Sequence, residues 1–168
     1  MKLCIRWSVM VLLFCASSGL TAQGEAWREY LNRRFGFRIE YPPSLEPSRP
    51  PDNGAGQEFR SADGKVSLLV QAHFLQGPSD TLEARWQADL SAYGKAIRYQ
   101  RRGSDWYVIS GVLPNGFEFY RRFAVQSHNW ASFEITYPHA ESVKYDRWVE
   151  RMAKSFVPFL PGDYDRVP

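Results

Sequence analysis

The chain has 168 residues, 44% of them hydrophobic and 15% aromatic, with 21 basic and 18 acidic side chains. Both cysteines, Cys4 and Cys15, lie near the start, which excludes a disulfide framework, a thiolate nucleophile and a cysteine metal site from everything downstream. Taking Lys2 and Arg6 away with a leader leaves 19 basic against 18 acidic side chains, and so near-neutral a domain lacks the net positive charge that general nucleic-acid binding requires.

Lys2 and Arg6 flank an apolar run from Trp7 to Ala16. A run of about ten residues suits a signal peptide and falls short of the ~20 that a membrane-spanning helix needs. Residues 1–22 therefore read as a signal peptide cleaved after Ala22, with Ser18 as the alternative. No transmembrane segment remains after cleavage, and the destination is periplasmic or secreted. Cys15 follows Leu13-Phe14, and bulky Phe14 stands where a lipoprotein signal has a small residue. Residues 23–160 are read as a single domain, long enough to bury about two-thirds of the unfolded chain's surface.

Gly24 to Tyr30 fits a helix or a strand and is read as a strand, with Asn32 as a turn residue. Phe35, Phe37, Ile39 and Tyr41 alternate with Gly36, Arg38 and Glu40, a half-buried strand stopped by Pro42-Pro43. Leu45 to Gln57 reads as a long loop rich in Pro, Asp, Asn and Gly. Phe59 and Arg60 lead into a hairpin turn at Ser61-Ala62-Asp63-Gly64, and Val66, Leu68, Val70 and Ala72 alternate beyond it. Gly77-Pro78 breaks the chain before a helix capped by Ser79, Asp80 or Thr81, with a stripe of Leu82, Trp86, Leu90 and Tyr93 and a stop at Gly94. Ala96 to Arg101 is a strand. Three more follow at Trp106–Val112, Phe117–Gln126 and Trp130–Tyr137, joined by Pro114-Asn115-Gly116 and Ser127-His128-Asn129. Asn-Gly predicts a tight hairpin with positive φ at both central residues. Apolar residues on both faces of the first of these strands predict cover on both sides. A second helix, about Ser142 to Ser155, turns Tyr145, Trp148, Val149, Met152 and Phe156 to one face. Pro158 to Pro168 reads as a loose end, with residues 161–168 as the flexible tail.

This order predicts an α+β fold, an antiparallel β-sheet flanked by helices. Asn32-Arg33-Arg34-Phe35-Gly36-Phe37, Tyr41-Pro42, Phe59 with Ser61-Ala62-Asp63-Gly64, Asp105-Trp106-Tyr107-Val108-Ile109-Ser110-Gly111 and the helix from Tyr145 to Phe156 resemble the PsbP-like superfamily, in its small exported bacterial branch. The resemblance covers nearly all of the chain after the leader and rests on strand starts and turns. It implies an α/β/α sandwich used for binding or assembly, as in a photosystem II extrinsic subunit, a Ran-binding import factor and a periplasmic protein linked to phage entry. The extended N-terminal docking arm of the photosystem subunit has no counterpart in this sequence.

The residues suggest no catalysis. No Gly-x-Ser-x-Gly elbow occurs, and Ser61 belongs to a turn. His73, His128 and His139 have no ligand at a helical metal spacing. Gly54-Ala55-Gly56 lacks the third glycine and the following helix of a phosphate loop. Asp52-Asn53-Gly54 reads first as a turn and second as an oxygen-donor cation loop. Arg121 shares its strand face with Phe117, Phe119, Phe123 and Val125, which buries a charge. A bulge, an ion pair to Glu134 or Glu118, or an anion-binding role are the readings open to it. Trp86 and Trp148 belong to helix stripes, whereas Trp27, Trp106 and Trp130 stand at strand ends, where a ring can be exposed.

No catalytic, cofactor-binding or metal-binding set is assigned. The expected ligand or partner surface comprises Asp52, Asn53, Trp106, Arg121 and Trp130. The leading expectation is a monomeric, non-enzymatic exported module that contacts a protein or envelope component without binding nucleic acid. The alternatives are a binder of a small lipid, glycan or anion in a sheet–helix pocket, or an unrecognised hydrolase.

Overall fold

The computed structural model describes residues 26–161. The leader, its cysteines and cleavage sites, and residues 162–168 lie outside the described residues. Among the described residues there are nine strands and two α-helices: β1 (Arg28–Asn32), β2 (Phe37–Tyr41), β3 (Leu45–Pro47), β4 (Gly56–Ser61), β5 (Ser67–Phe74), α1 (Leu82–Tyr93), β6 (Ile97–Arg102), β7 (Trp106–Val112), β8 (Phe117–Val125), β9 (Asn129–Pro138) and α2 (Ser142–Ser155). Seven strands form one antiparallel sheet in the order β3-β4-β5-β9-β8-β7-β6, while β1 and β2 form a separate two-stranded sheet. The fold is α+β, as its alternating strands and amphipathic helices predict.

The strand periodicity explains the two cores. Leu68, Val70 and Ala72 of β5 and Ala131, Phe133, Ile135 and Tyr137 of β9 point to one face, called front, where β1–β2 and α2 cover them with Phe37, Ile39, Tyr145, Met152 and Phe156. Tyr107, Ile109, Phe119, Phe123 and Trp130 point to the back, where α1 covers them with Trp86, Leu90 and Tyr93. The layers are offset. The front layer lies over β4, β5 and β9, and the back layer over β7, β8 and β9. Among the described residues the front of β6–β7 and the back of β4–β5 therefore carry no covering helix, while the C-terminal end of α2 borders the front of β8.

Helix α1 starts at Thr81, whose hydroxyl accepts from the Ala84 amide at 3.1 Å, and ends at Gly94 with φ 46°. Its extent and that of α2 follow the apolar stripes in the sequence.

Four expectations need correction. Leu45 to Gln57 is not all loop, because β3 pairs with β4 over Leu45↔Ser61 to Pro47↔Phe59; Pro47 is tolerated there because β3 is an edge strand. The Pro114-Asn115-Gly116 turn has positive φ at Gly116 alone, 82°. The Gly116 amide donates to Leu113 O at 3.0 Å, so Pro114, whose ring fixes φ, takes the first central position and shifts Asn-Gly one place along. Strand β7 is covered by a helix only on its back. Val108 is nevertheless 7% exposed on the front, where long neighbouring side chains shield it. Finally, Pro158 to Leu160 are not loose. Arg38 and Val157 exchange two backbone hydrogen bonds of 3.0 Å, the Leu160 amide donates to Gly36 O at 2.6 Å, and Phe159 packs on the front core.

Candidate functional site: the front of β6–β8

The open front surface starts from an irregularity in β6. Ile97 faces Gly111 of β7, but the next paired residue is Tyr99, opposite Ser110. One residue is therefore extra, and the side-chain alternation flips at that point. Ile97 joins the back core. Without the bulge Tyr99 and Arg101 would follow it there; with the bulge they stand on the front. Gly111 permits the bulge, since a Cβ there would overlap the carbonyl oxygen of Ala96.

Tyr99 and Arg101 meet Trp106 and Val108 of β7 and Tyr120 and Arg122 of β8 around a shallow groove of about 230 Å³. Tyr99 is 50% exposed. The Arg101 guanidinium lies 5.7 Å from the Trp106 ring centre, within range of a cation–π contact. The Trp106 indole rests on Gly103, where a Cβ would come within 2.5 Å of its nitrogen. Arg122 Nη1 donates to Ala153 O at 2.6 Å at the end of α2, and its Nε is buried without an acceptor. Tyr120 stacks on Phe133 at 5.7 Å, and burial raises its phenol pKa despite the nearby Arg122. Among the described residues no acidic side chain lines the groove. Among the described residues neither Arg101 nor Arg122 forms an ion pair.

The residues expected to form one surface do not converge. Trp106 is in the groove. Arg121 is on the back, beneath α1. Its Nε donates to Asp89 Oδ2 at 2.7 Å and its Nη1 to Glu134 Oε2 at 3.2 Å, while Tyr107 and Tyr93 donate to the same two carboxylates. The register of β8 is continuous through Arg121, so the ion-pair reading describes it and the bulge does not. The sequence signals Asp89 only through its place between Trp86 and Tyr93 on the α1 stripe, where a carboxylate has to face the sheet. Trp130 is buried, not exposed at a rim. It stacks on Phe123 at 5.2 Å and packs at a tilt against His73 at 4.9 Å, with the Arg85 guanidinium 4.9 Å from its centre.

Asp52 and Asn53 border the other uncovered region. Gly54 N donates to Pro51 O at 3.1 Å and Asn53 Oδ1 accepts from the Ala55 amide at 3.0 Å, a turn that already uses one of the oxygens a cation would need. Asp52 is solvent-exposed, 3.9 Å from Arg49. An open groove of about 300 Å³ lies between this loop and Leu69, Gln71 and His73 on the back of β5. Burial, then Arg85 and Arg34, hold the His73 pKa below the usual imidazole range, so its ring is neutral at pH 7. A third cleft, about 480 Å³ and wide open, lies between the 75–81 connection and Ser127-His128. Its Asp80 carboxylate is already held by Arg85 at 2.6 and 2.8 Å. Among the described residues no three His, Cys, Asp or Glu side chains cluster as metal ligands, and no helix is long and apolar enough to cross a membrane.

No protein-family model matches the sequence, and no curated protein matches it. Solved structures do. The solution structure of cyanobacterial PsbP from Synechocystis sp. PCC 6803 superposes with a TM-score of 0.57, covering 87% of this chain and 98% of that one at 16% identity. The fold is that of PsbP. A crystal structure of a protein from Bacteroides thetaiotaomicron VPI-5482 superposes with a TM-score of 0.53 at 10% identity, covering 80% of this chain and 49% of that one, so the chain spans about half of that protein. At these identities the PsbP likeness concerns architecture, and the groove has to be read from its own side chains.

Proposed function

We propose that the protein is a non-enzymatic, exported binding module that acts through surface contact with a protein or envelope component, using the front of β6–β8. One observation carries the reading: both helix–sheet interfaces are filled by large side chains, while Tyr99, Trp106 and Tyr120 are gathered on the open face beside α2 with two arginines that form no ion pair among the described residues. Aromatic residues and arginine are the types enriched at binding hot spots. The groove volume, about 230 Å³, lies below the ~300–1,000 Å³ typical of small-molecule sites, which favours insertion of a few side chains from a larger partner. The exported location rests on the leader sequence. Affinity purification from the envelope fraction, comparing the natural protein with an Arg101→Gln/Trp106→Ala variant of equal thermal stability, tests the proposal. Proteins retained by the natural chain and lost by the variant support it; identical retention by both defeats it.

A small-ligand role has the 480 Å³ cleft beside His128 in its favour. Thermal-shift screening against glycans and lipids distinguishes it, because a ligand of that cleft stabilises the groove variant and the natural protein equally.

A further inference from the structure

The groove's charge narrows the class of partner, an inference that rests on the surface-contact reading above. Its polar wall is cationic: among the described residues Arg101 and Arg122 are free of carboxylates and no acidic side chain lines it. The bordering strand adds to this. β6 is an edge of the sheet, contains Arg98, Arg101 and Arg102 and is preceded by Lys95. Of these, Arg102 turns to the back and pairs with Glu83 at 2.6 Å.

Basic side chains and a bulge on an edge strand also discourage strand-to-strand aggregation. That function accounts for Arg98 and Arg101. It does not account for Arg122 and Tyr120, which belong to β8, or for Trp106 on β7, since neither strand is an edge. Two copies meeting at this surface would place like charges opposite each other, which is unfavourable. An acidic occupant meets the opposite situation. The aromatic floor adds an apolar component, and a volume of about 230 Å³ admits a few side chains at a time. We infer that the groove seats an acidic segment of a partner protein, its carboxylates on Arg101 and Arg122 and an interspersed apolar side chain against Trp106 and Tyr99.

The test uses a fluorescently labelled peptide alternating glutamate with leucine, a counterpart with lysine for glutamate, and vesicles of phosphatidylglycerol. Titrated with the full mature protein, the glutamate peptide is expected to bind with an affinity that falls as salt rises, as exposed charge pairs require. Arg101→Gln is expected to weaken it roughly tenfold, the loss of one charge-assisted contact. Trp106→Ala, which leaves the charges in place, is expected to weaken it without changing the salt dependence. Equal binding of the lysine peptide, binding to vesicles in place of the glutamate peptide, or indifference to Arg101→Gln would overturn the inference. If these peptides fail while envelope proteins are still captured in a groove-dependent way, the acidic class is wrong and the surface-contact reading stands.

Discussion

Arg121 Nε lies 2.7 Å from Asp89 Oδ2, so the charge buried by β8 and the charge buried by α1 form one ion pair. Glu134 of β9 completes the set at 3.2 Å. Three elements are thus pinned by a group only 16% exposed, and the Tyr107 and Tyr93 hydroxyls donate to the same oxygens, Asp89 Oδ2 and Glu134 Oε2, that accept from Arg121. Such a network determines how α1 sits on the sheet more than how stable the sheet is, because taking charges out of water is itself unfavourable.

Breaking the network from one side should therefore be severe. Arg121→Met leaves Asp89 and Glu134 facing each other without a counter-charge and is expected to destabilise the fold by about 3–5 kcal/mol. The combined Arg121→Met/Asp89→Leu/Glu134→Leu variant is expected to recover most of that loss. Denaturant unfolding of the variants checks this; a single Arg121→Met variant with unchanged stability would show that the contacts are incidental.

Alkaline pH attacks the same region. Burial first, then the hydrogen bond from its hydroxyl to Asp89, raises the Tyr107 pKa well above its ordinary value. Burial, then Glu134, does so for Tyr93, and burial, then Glu118, for Tyr137. In the unfolded chain these phenols ionise near pH ~10. Their folded values are raised, so their contribution to stability is complete below about pH 10 and declines as pH rises toward the folded values, by up to ~1.4 kcal/mol per pH unit for each phenol. Unfolding midpoints measured from neutral pH upward are expected to fall above about pH 10, and less steeply in Tyr107→Phe. A flat profile in the natural protein would refute the assignment.

The bulge at the start of β6 depends on Gly111. A methyl group there meets the Ala96 carbonyl, and backbone cannot yield as a flexible side chain can. Gly111→Ala is expected to lower stability by about 1–3 kcal/mol, the usual range for overpacking. It should also weaken any groove-dependent binding, because Tyr99 and Arg101 hold their front positions through the bulge. Unfolding and binding measured on the same variant test both effects. Loss of neither would mean that β6 reaches its register by another route.

The sequence exposes the architecture far better than the site. Strand β5, for example, is announced by Val66, Leu68, Val70 and Ala72, and α2 by Tyr145, Trp148, Val149 and Met152, because side-chain periodicity is a direct consequence of backbone geometry. Arg121 among phenylalanines announces a buried charge with a partner, and Glu134 is on the neighbouring strand. Asp89 required knowing that α1 lies over β8, which no local pattern records. The groove was legible only at Trp106. Tyr99 and Arg101 reach the front through a one-residue bulge, and a bulge inverts the alternation from which facing is inferred. The separation of β1–β2 from the main sheet is likewise tertiary: β2 has the same alternation as β5 and differs in what it covers.

Site-specific photocrosslinking in the intact envelope tests the central claim most directly, with the reactive group placed at Tyr99 on the front or at Leu69 on the open back of β5, two positions 50% and 38% exposed. A discrete crosslinked product from position 99 and none from position 69 is the expected result. A discrete product from position 69 alone, or none from either, would contradict a role for the β6–β8 face.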